Sequence, residues 1–95
     1  MPRTGYGSIK GQMVRAAESI VLTIVEGCGA STNREFARFL EMAIKSTMEL
    51  EAQLELTRDY GALERDLWQS LTRDTVSLRR MLCVLRSKLL GEEDE

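Results

Sequence analysis

Six arginines stand where they could hold nucleic-acid phosphates. Arg73 and Arg80 are seven residues apart, as are Arg79 and Arg86. On a helix each pair lines one of two adjacent outer stripes. Repeated around an oligomer, such stripes could track a phosphate backbone through salt-dependent contacts. Arg34 and Arg38 lie one turn apart near the start of another helical stretch, where free backbone amides also favour an anion. The competing reading is charge pairing. Over 64–90 the cations Arg65, Arg73, Arg79, Arg80, Arg86 and Lys88 face only Glu64, Asp66 and Asp74. Over 33–60 the balance reverses, with six acids against Arg34, Arg38, Lys45 and Arg58. Two solvated faces that pair with one another are the favoured reading, with Arg38 paired to Glu35 or Glu41.

Other reactive groups are sparse. Histidine is absent, which excludes His-based triads, mixed Cys/His zinc sites and Glu-x-x-His di-iron bundles. Cys28 and Cys83 lack metal-type spacing, and nothing cationic adjoins Cys28 to lower its pKa. Cys83 lies beside an apolar seam and is expected to be a small core or interface residue. Glu26 closes the most apolar stretch, where the helix dipole disfavours a carboxylate. It is read as a polar latch to the next helix or to a neighbouring subunit, with Arg15 or Arg38 as partner. The sequence therefore implies no catalytic residues, no metal, no cofactor and no enzymatic activity.

Composition agrees with a helical, non-membrane chain. It is 43% hydrophobic and 29% charged, with its one proline at position 2, which suits long bundled helices. No apolar run approaches the ~18–20 residues that cross a bilayer. The N-terminal stretch has no signal-peptide core, so a cytoplasmic protein with reduced thiols is expected. The net charge is −2, but residues 92–95 supply four acids. Without them, 13 basic residues face 11 acidic ones, a modest excess for a nucleic-acid binder.

Three helices must position these groups. The first, over 8–26, is apolar nearly all round, with Gln12, Arg15, Ser19, Thr23 and Glu26 as its polar stripe. Gly27 is placed to end it in a left-handed conformation. Thr32 with Glu35 forms a capping-box pattern for the second helix, over 33–60, with Gly61 as its stop. The seam of that helix is Phe36, Leu40, Ala43, Thr47, Leu50, Leu54 and Thr57, a heptad repeat. The third, over 64–90, repeats the rule with Trp68, Leu71, Thr75, Leu78, Leu82, Leu85 and Leu89, and Gly91 ends it. An N-terminal arm over 1–7 and a disordered acidic tail over 91–95 complete a single domain. Short loops make neighbours antiparallel, so the fold class is an all-α, up-and-down helical bundle.

The chain also resembles a family of small bacterial four-helix-bundle proteins. These include proteins encoded in large-subunit rRNA intervening sequences and the accessory variability determinants of diversity-generating retroelements. Gln12, Arg15-Ala16-Ala17, Ser19-Ile20 and Glu26-Gly27 are similar to the family's second-helix signature. Glu35-Phe36, Arg38-Phe39-Leu40, Ala43, Ser46, Glu49-Leu50-Glu51 and Gln53-Leu54 are similar to its third. The likeness spans about residues 6–90. It implies that this chain lacks the family's leading helix, either naturally or by loss. It also implies a ring-like homo-oligomer, most simply a pentamer, and RNA or a reverse transcriptase as a partner. Two departures stand out: the loop Cys28-Gly29-Ala30 carries no charge, and Lys45 replaces a usual small residue.

Without a fourth helix, the stripe Val14, Val21 and Val25, together with Glu26, is expected to face another subunit or a partner helix. Two functions follow. One is a non-enzymatic homo-oligomeric scaffold serving an RNA or reverse-transcriptase complex through Arg34, Arg38, Arg73, Arg79, Arg80 and Arg86. The other is a protein-interaction module whose groove accepts a helix.

Overall fold

Thr32 sets where the central helix begins. It is extended at φ −133°, ψ 160°, and its Oγ1 accepts from the Glu35 N–H at 3.0 Å. Glu35 Oε1 reaches back to the Ser31 N–H at 2.9 Å, one residue earlier than the usual reciprocal bond of a capping box. Gly61 ends the helix at φ 67°, ψ 28°, left-handed as expected. Its N–H donates to Arg58 O at 3.0 Å, and the Ala62 N–H donates to Thr57 O at 2.9 Å. Those two bonds make a Schellman cap.

The computed structural model describes residues 6–94, with side chains described over 9–91. It contains α1 (Tyr6–Cys28), α2 (Asn33–Tyr60) and α3 (Arg65–Asp94), and no strand among the described residues. Residues 1–5 of the expected N-terminal arm lie outside the described residues, while Tyr6 and Gly7 belong to α1. Neighbours run antiparallel. Ser19 meets Ser46 while Gly27 meets Phe36, and Trp68 meets Leu54 while Arg86 meets Glu41.

The α2 seam is the core. Leu40, Ala43, Thr47, Leu54 and Thr57 are all at most 1% exposed. Leu40 and Ala43 pack with Leu82, and Ile24, Phe36, Ile44, Leu78 and Leu89 close around them. Burying threonine on such a seam costs little here because each hydroxyl bonds its own helix. Thr47 Oγ1 donates to Ile44 O at 2.6 Å, Thr57 Oγ1 to Leu54 O at 2.7 Å, and Thr75 Oγ1 to Leu71 O at 2.7 Å.

Four expectations are corrected. Thr23 and Ser19 do not belong to a water-facing stripe. Thr23 is buried and bonded to Ser19 O and Ile20 O, and the half-buried Ser19 hydroxyl meets Ser46 at 3.0 Å. The α1 seam is Ile9, Ala16, Ile20, Thr23 and Gly27, so small residues let α1 and α2 approach closely. Gly27 is not a left-handed cap either, because it is buried inside α1 and its backbone is not at positive φ. Cys83 is exposed, so the core alternative for it does not hold. Gly91 does not stop α3, which continues through Asp94, so residues 91–94 of the expected disordered tail are helical. A lone glycine costs a helix only about 1 kcal/mol and ends it only where a left-handed turn follows.

The helices form a layer rather than a closed bundle. The described chain measures 53 by 24 by 14 Å, and a single helix with its side chains is about 10–12 Å across. α2 packs against α1 and against α3, while the backbones of those two do not approach each other closely. The α3 seam is therefore only half covered. Thr75 and Leu82 are buried, but Leu71 and Leu85 remain 36% and 39% exposed.

Candidate nucleic-acid and subunit-contact surfaces

The antiparallel pairing of α2 and α3 decides which arginines are free. Arg79 and Glu51 face each other across the two helices, and the Arg79 Nε donates to Glu51 Oε2. That hydrogen bond, and then the Glu51 charge, hold the Arg79 pKa above its ordinary value. Arg86 Nη2 donates to Glu41 Oε2 at 3.1 Å. Arg73 lies 3.6 Å from Asp74 and bonds the Ser70 hydroxyl at 3.4 Å. Of the four α3 arginines expected to contact phosphate, cross-helix pairing thus engages two, and a neighbour on α3 itself engages the third. Arg80 is exposed and makes no ion pair. With Lys88 it borders a shallow apolar hollow formed by Met81, Val84 and Leu85.

On α2, Arg34 and Arg38 are exposed, and Arg38 does not pair with Glu35 or Glu41 as expected. Glu35 is turned back to cap the helix, and Glu41 is held by Arg86. Lys45 is exposed as well, seven residues beyond Arg38. Its stem need not lie along an interface, because the close α1 contact falls on the next residue, Ser46. Arg34, Arg38 and Lys45 therefore share one stripe, on the side of α2 roughly opposite Leu50 and Leu54. Glu41 and Glu49 are the exposed acids that border it, one on each flank. Sequence reasoning passed over Lys45 as a member of this stripe, although its spacing from Arg34 and Arg38 carried the signal.

The other side of the layer is apolar. Met13, Val14 and Ala17 of α1, Leu50 and Leu54 of α2, and Leu71 and Thr75 of α3 line a trough of about 220 Å³. Val14, Val21 and Val25 are 56%, 59% and 62% exposed, and their spacing puts them on the α1 flank of that trough. Leu85, fourteen residues beyond Leu71, extends the α3 flank. Glu26 is exposed and bonded to no side chain, so the latch to α2 is not made within the chain. Its last turn also carries no basic residue. Sequence analysis assigned Leu71 and Leu85 to the core, because periodicity marks an apolar face without saying what covers it.

A second hollow of about 420 Å³ lies at the α2–α3 turn, lined by Arg58, Leu63, Arg65, Trp68 and Gln69. Two of its polar groups are already engaged. Trp68 Nε1 donates to Leu54 O at 2.7 Å. The Arg58 guanidinium sits 5.2 Å from the indole centroid and pairs with Glu55 at 2.9 Å. The hollow is a cation–π joint between two helices.

Among the described residues no cluster of Cys, Asp or Glu is arranged to hold a metal ion. No described helix is long and apolar enough to cross a membrane. The fold and its surfaces define a small, layered, all-α protein with an apolar trough on one side and a mixed, charged side opposite it. The chain belongs to the 23S rRNA-intervening sequence protein family, whose profile matches residues 1–84. No curated protein and no solved structure matches it significantly.

Proposed function

We propose that this chain is a non-enzymatic homo-oligomeric helical scaffold that uses its basic stripe to contact RNA. The observation that carries the reading is the division of the layer into two sides. Arg34, Arg38 and Lys45 form an unpaired stripe on one side of α2, and the apolar trough lies on the other. One side suits phosphates and the other suits burial, so both can be occupied at once. Membership in a family named for intervening sequences of 23S rRNA supports RNA as the charged partner. A ring of five chains in the cytoplasm is the assembly the family resemblance implies, and a reverse transcriptase is the protein partner it suggests. No cofactor has a role in this reading. Arg79 and Arg86 act in it as struts between α2 and α3, leaving Arg34, Arg38, Lys45 and Arg80 as the phosphate contacts.

The apolar trough favours a second reading, a protein-interaction module that accepts a partner helix. Salt separates the two. Titration of a labelled single-stranded RNA at increasing salt should give an affinity that falls steeply, with log–log slope about −0.7 per phosphate neutralised. Replacing Arg34, Arg38 and Lys45 together by alanine should reduce that slope by about 2. RNA binding that is absent, or indifferent to salt and to these replacements, leaves the interaction module as the better account.

A further inference from the structure

We infer that the hollow at the α2–α3 turn seats one unpaired RNA base, which makes single-stranded RNA the ligand of the basic stripe. The inference rests on the RNA-contacting reading above and adds the contact that tells a single strand from a duplex. The hollow is about 420 Å³, inside the ~300–1,000 Å³ range of ligand pockets, and one of its walls is the chain's one tryptophan. Trp68 is half-buried, and its Nε1–H, bonded to Leu54 O at 2.7 Å, holds the ring in place. A ring fixed in this way loses little freedom when a base stacks on it.

Three observations select a base over a phosphate or an acidic peptide. The first is charge. Glu55 and Asp59 lie 2.9 and 4.0 Å from the Arg58 guanidinium, and Glu64, next to Arg65, accepts from the Leu67 N–H at 3.3 Å. Acids beside both cations cancel their pull on an anion and leave a neutral, planar group as the better occupant. The second is the ring face. Arg58 covers it at 5.2 Å, but its side chain is 56% exposed and its ion pairs are of the weak surface kind. The guanidinium can yield its place to a base, and every base has a π face that stacks on indole. The third is the rim. Arg65 and Gln69, one turn apart on α3, are exposed and bonded to no other side chain. The Gln69 amide offers a donor and an acceptor to a base edge, and Arg65 offers donors.

The hollow also lies within reach of the stripe. Arg58 is seven residues beyond Glu51 and Arg65 fourteen before Arg79, so the hollow continues the line of that ion pair, on the flank of α2 away from Leu50. Lys45 is 13 residues before Arg58, about 20 Å along α2. A strand held at Arg34, Arg38 and Lys45 spans that distance within the ~4–16 nucleotides that a small single-strand-binding fold occupies. A duplex cannot use the hollow, because its base faces are closed in the stack.

The test reads the fluorescence of Trp68, the one tryptophan of the full chain, while the anisotropy of a labelled RNA reports binding. The probes are a single-stranded RNA of about 12 nucleotides, its duplex, inorganic polyphosphate and adenosine monophosphate. The single strand should quench the emission in step with its binding. The duplex and polyphosphate should bind through the stripe and leave the emission unquenched. Adenosine monophosphate, which the stripe cannot tether, should need a concentration about a hundredfold higher or more. Trp68→Leu should weaken the single strand about fivefold or more and leave the duplex and its salt slope unchanged. If Trp68→Leu loses helicity by circular dichroism, Gln69→Ala takes its place, with a loss of about threefold or more. Single-strand binding without quenching, or equal quenching by duplex and polyphosphate, overturns the base seat and leaves the RNA reading standing. Quenching by adenosine monophosphate at the same concentration as the strand assigns the hollow to free nucleotides and overturns it as well. A chain that binds no RNA at all overturns both.

Discussion

A Cβ added to Gly27 would stand 2.8 Å from Cδ1 of Phe36, closer than a real side-chain carbon sits to another. The same atom would meet Cβ of Phe39 at 3.0 Å. Gly27 is therefore the point where the end of α1 rests on the start of α2. The short loop Gly29–Thr32 needs that approach, because it leaves the two helix ends little room to separate.

Gly27→Ala tests this contact directly. Alanine gains about 1 kcal/mol in helix propensity. Overpacking costs about 1–3 kcal/mol, and Phe39 Cβ is fixed to the α2 backbone and cannot swing away. The steric term should win, lowering stability by about 1 kcal/mol. Urea unfolding should show an earlier midpoint with an unchanged m-value, and Phe36→Leu in the same chain should recover part of the loss. A stabilised Gly27→Ala would mean that the helix ends are not in this contact.

Trp68 offers a separable hydrogen bond. Trp68→Phe keeps an aromatic ring but removes the Nε1 donor to Leu54 O. That carbonyl still accepts from Thr57 Oγ1, so no buried acceptor is left bare. The loss should be about 1 kcal/mol, at the mild end for a deleted bond. Arg58→Ala made in both backgrounds reads the part of the cation–π contact that the indole supplies beyond a phenyl ring, expected below ~1 kcal/mol at this exposed site. Denaturation of the four proteins closes the cycle.

Arg79 sets a pH expectation. Its folded-state pKa is raised by Glu51, so its contribution is fully present below the unfolded pKa and is lost only as pH rises through the folded value. Both lie above the ordinary working range. The Tm difference between the natural chain and Arg79→Gln should therefore stay constant from about pH 6 to about pH 10. A difference that shrinks across that interval would show that some other titrating group carries the effect.

The second helix was the most legible part of this chain. Its cap at Thr32, its stop at Gly61 and its seam from Phe36 to Thr57 depend on groups a few residues apart. Gly27 and Gly91 carried the same residue-level signal as Gly61 and have different roles. Gly27 answers to Phe36 on another helix, and Gly91 has nothing within reach of a Cβ. The arginines were visible as candidates, but their pairing was not. Arg79 and Glu51 are 28 residues apart, and only the register of α2 against α3 brings them together.

Hydrophobic period, capping chemistry and loop length determined by themselves that this chain makes three long antiparallel helices. Those are local energies, written into neighbouring residues. Tertiary structure alone decided that α1 and α3 stay apart across α2, so that seam residues such as Leu71 line an open trough. It also decided that Glu51 and Glu41 neutralise Arg79 and Arg86 and leave the Arg34, Arg38 and Lys45 stripe to solvent. A helix face states that it must be covered, but its neighbour is chosen by packing between distant segments.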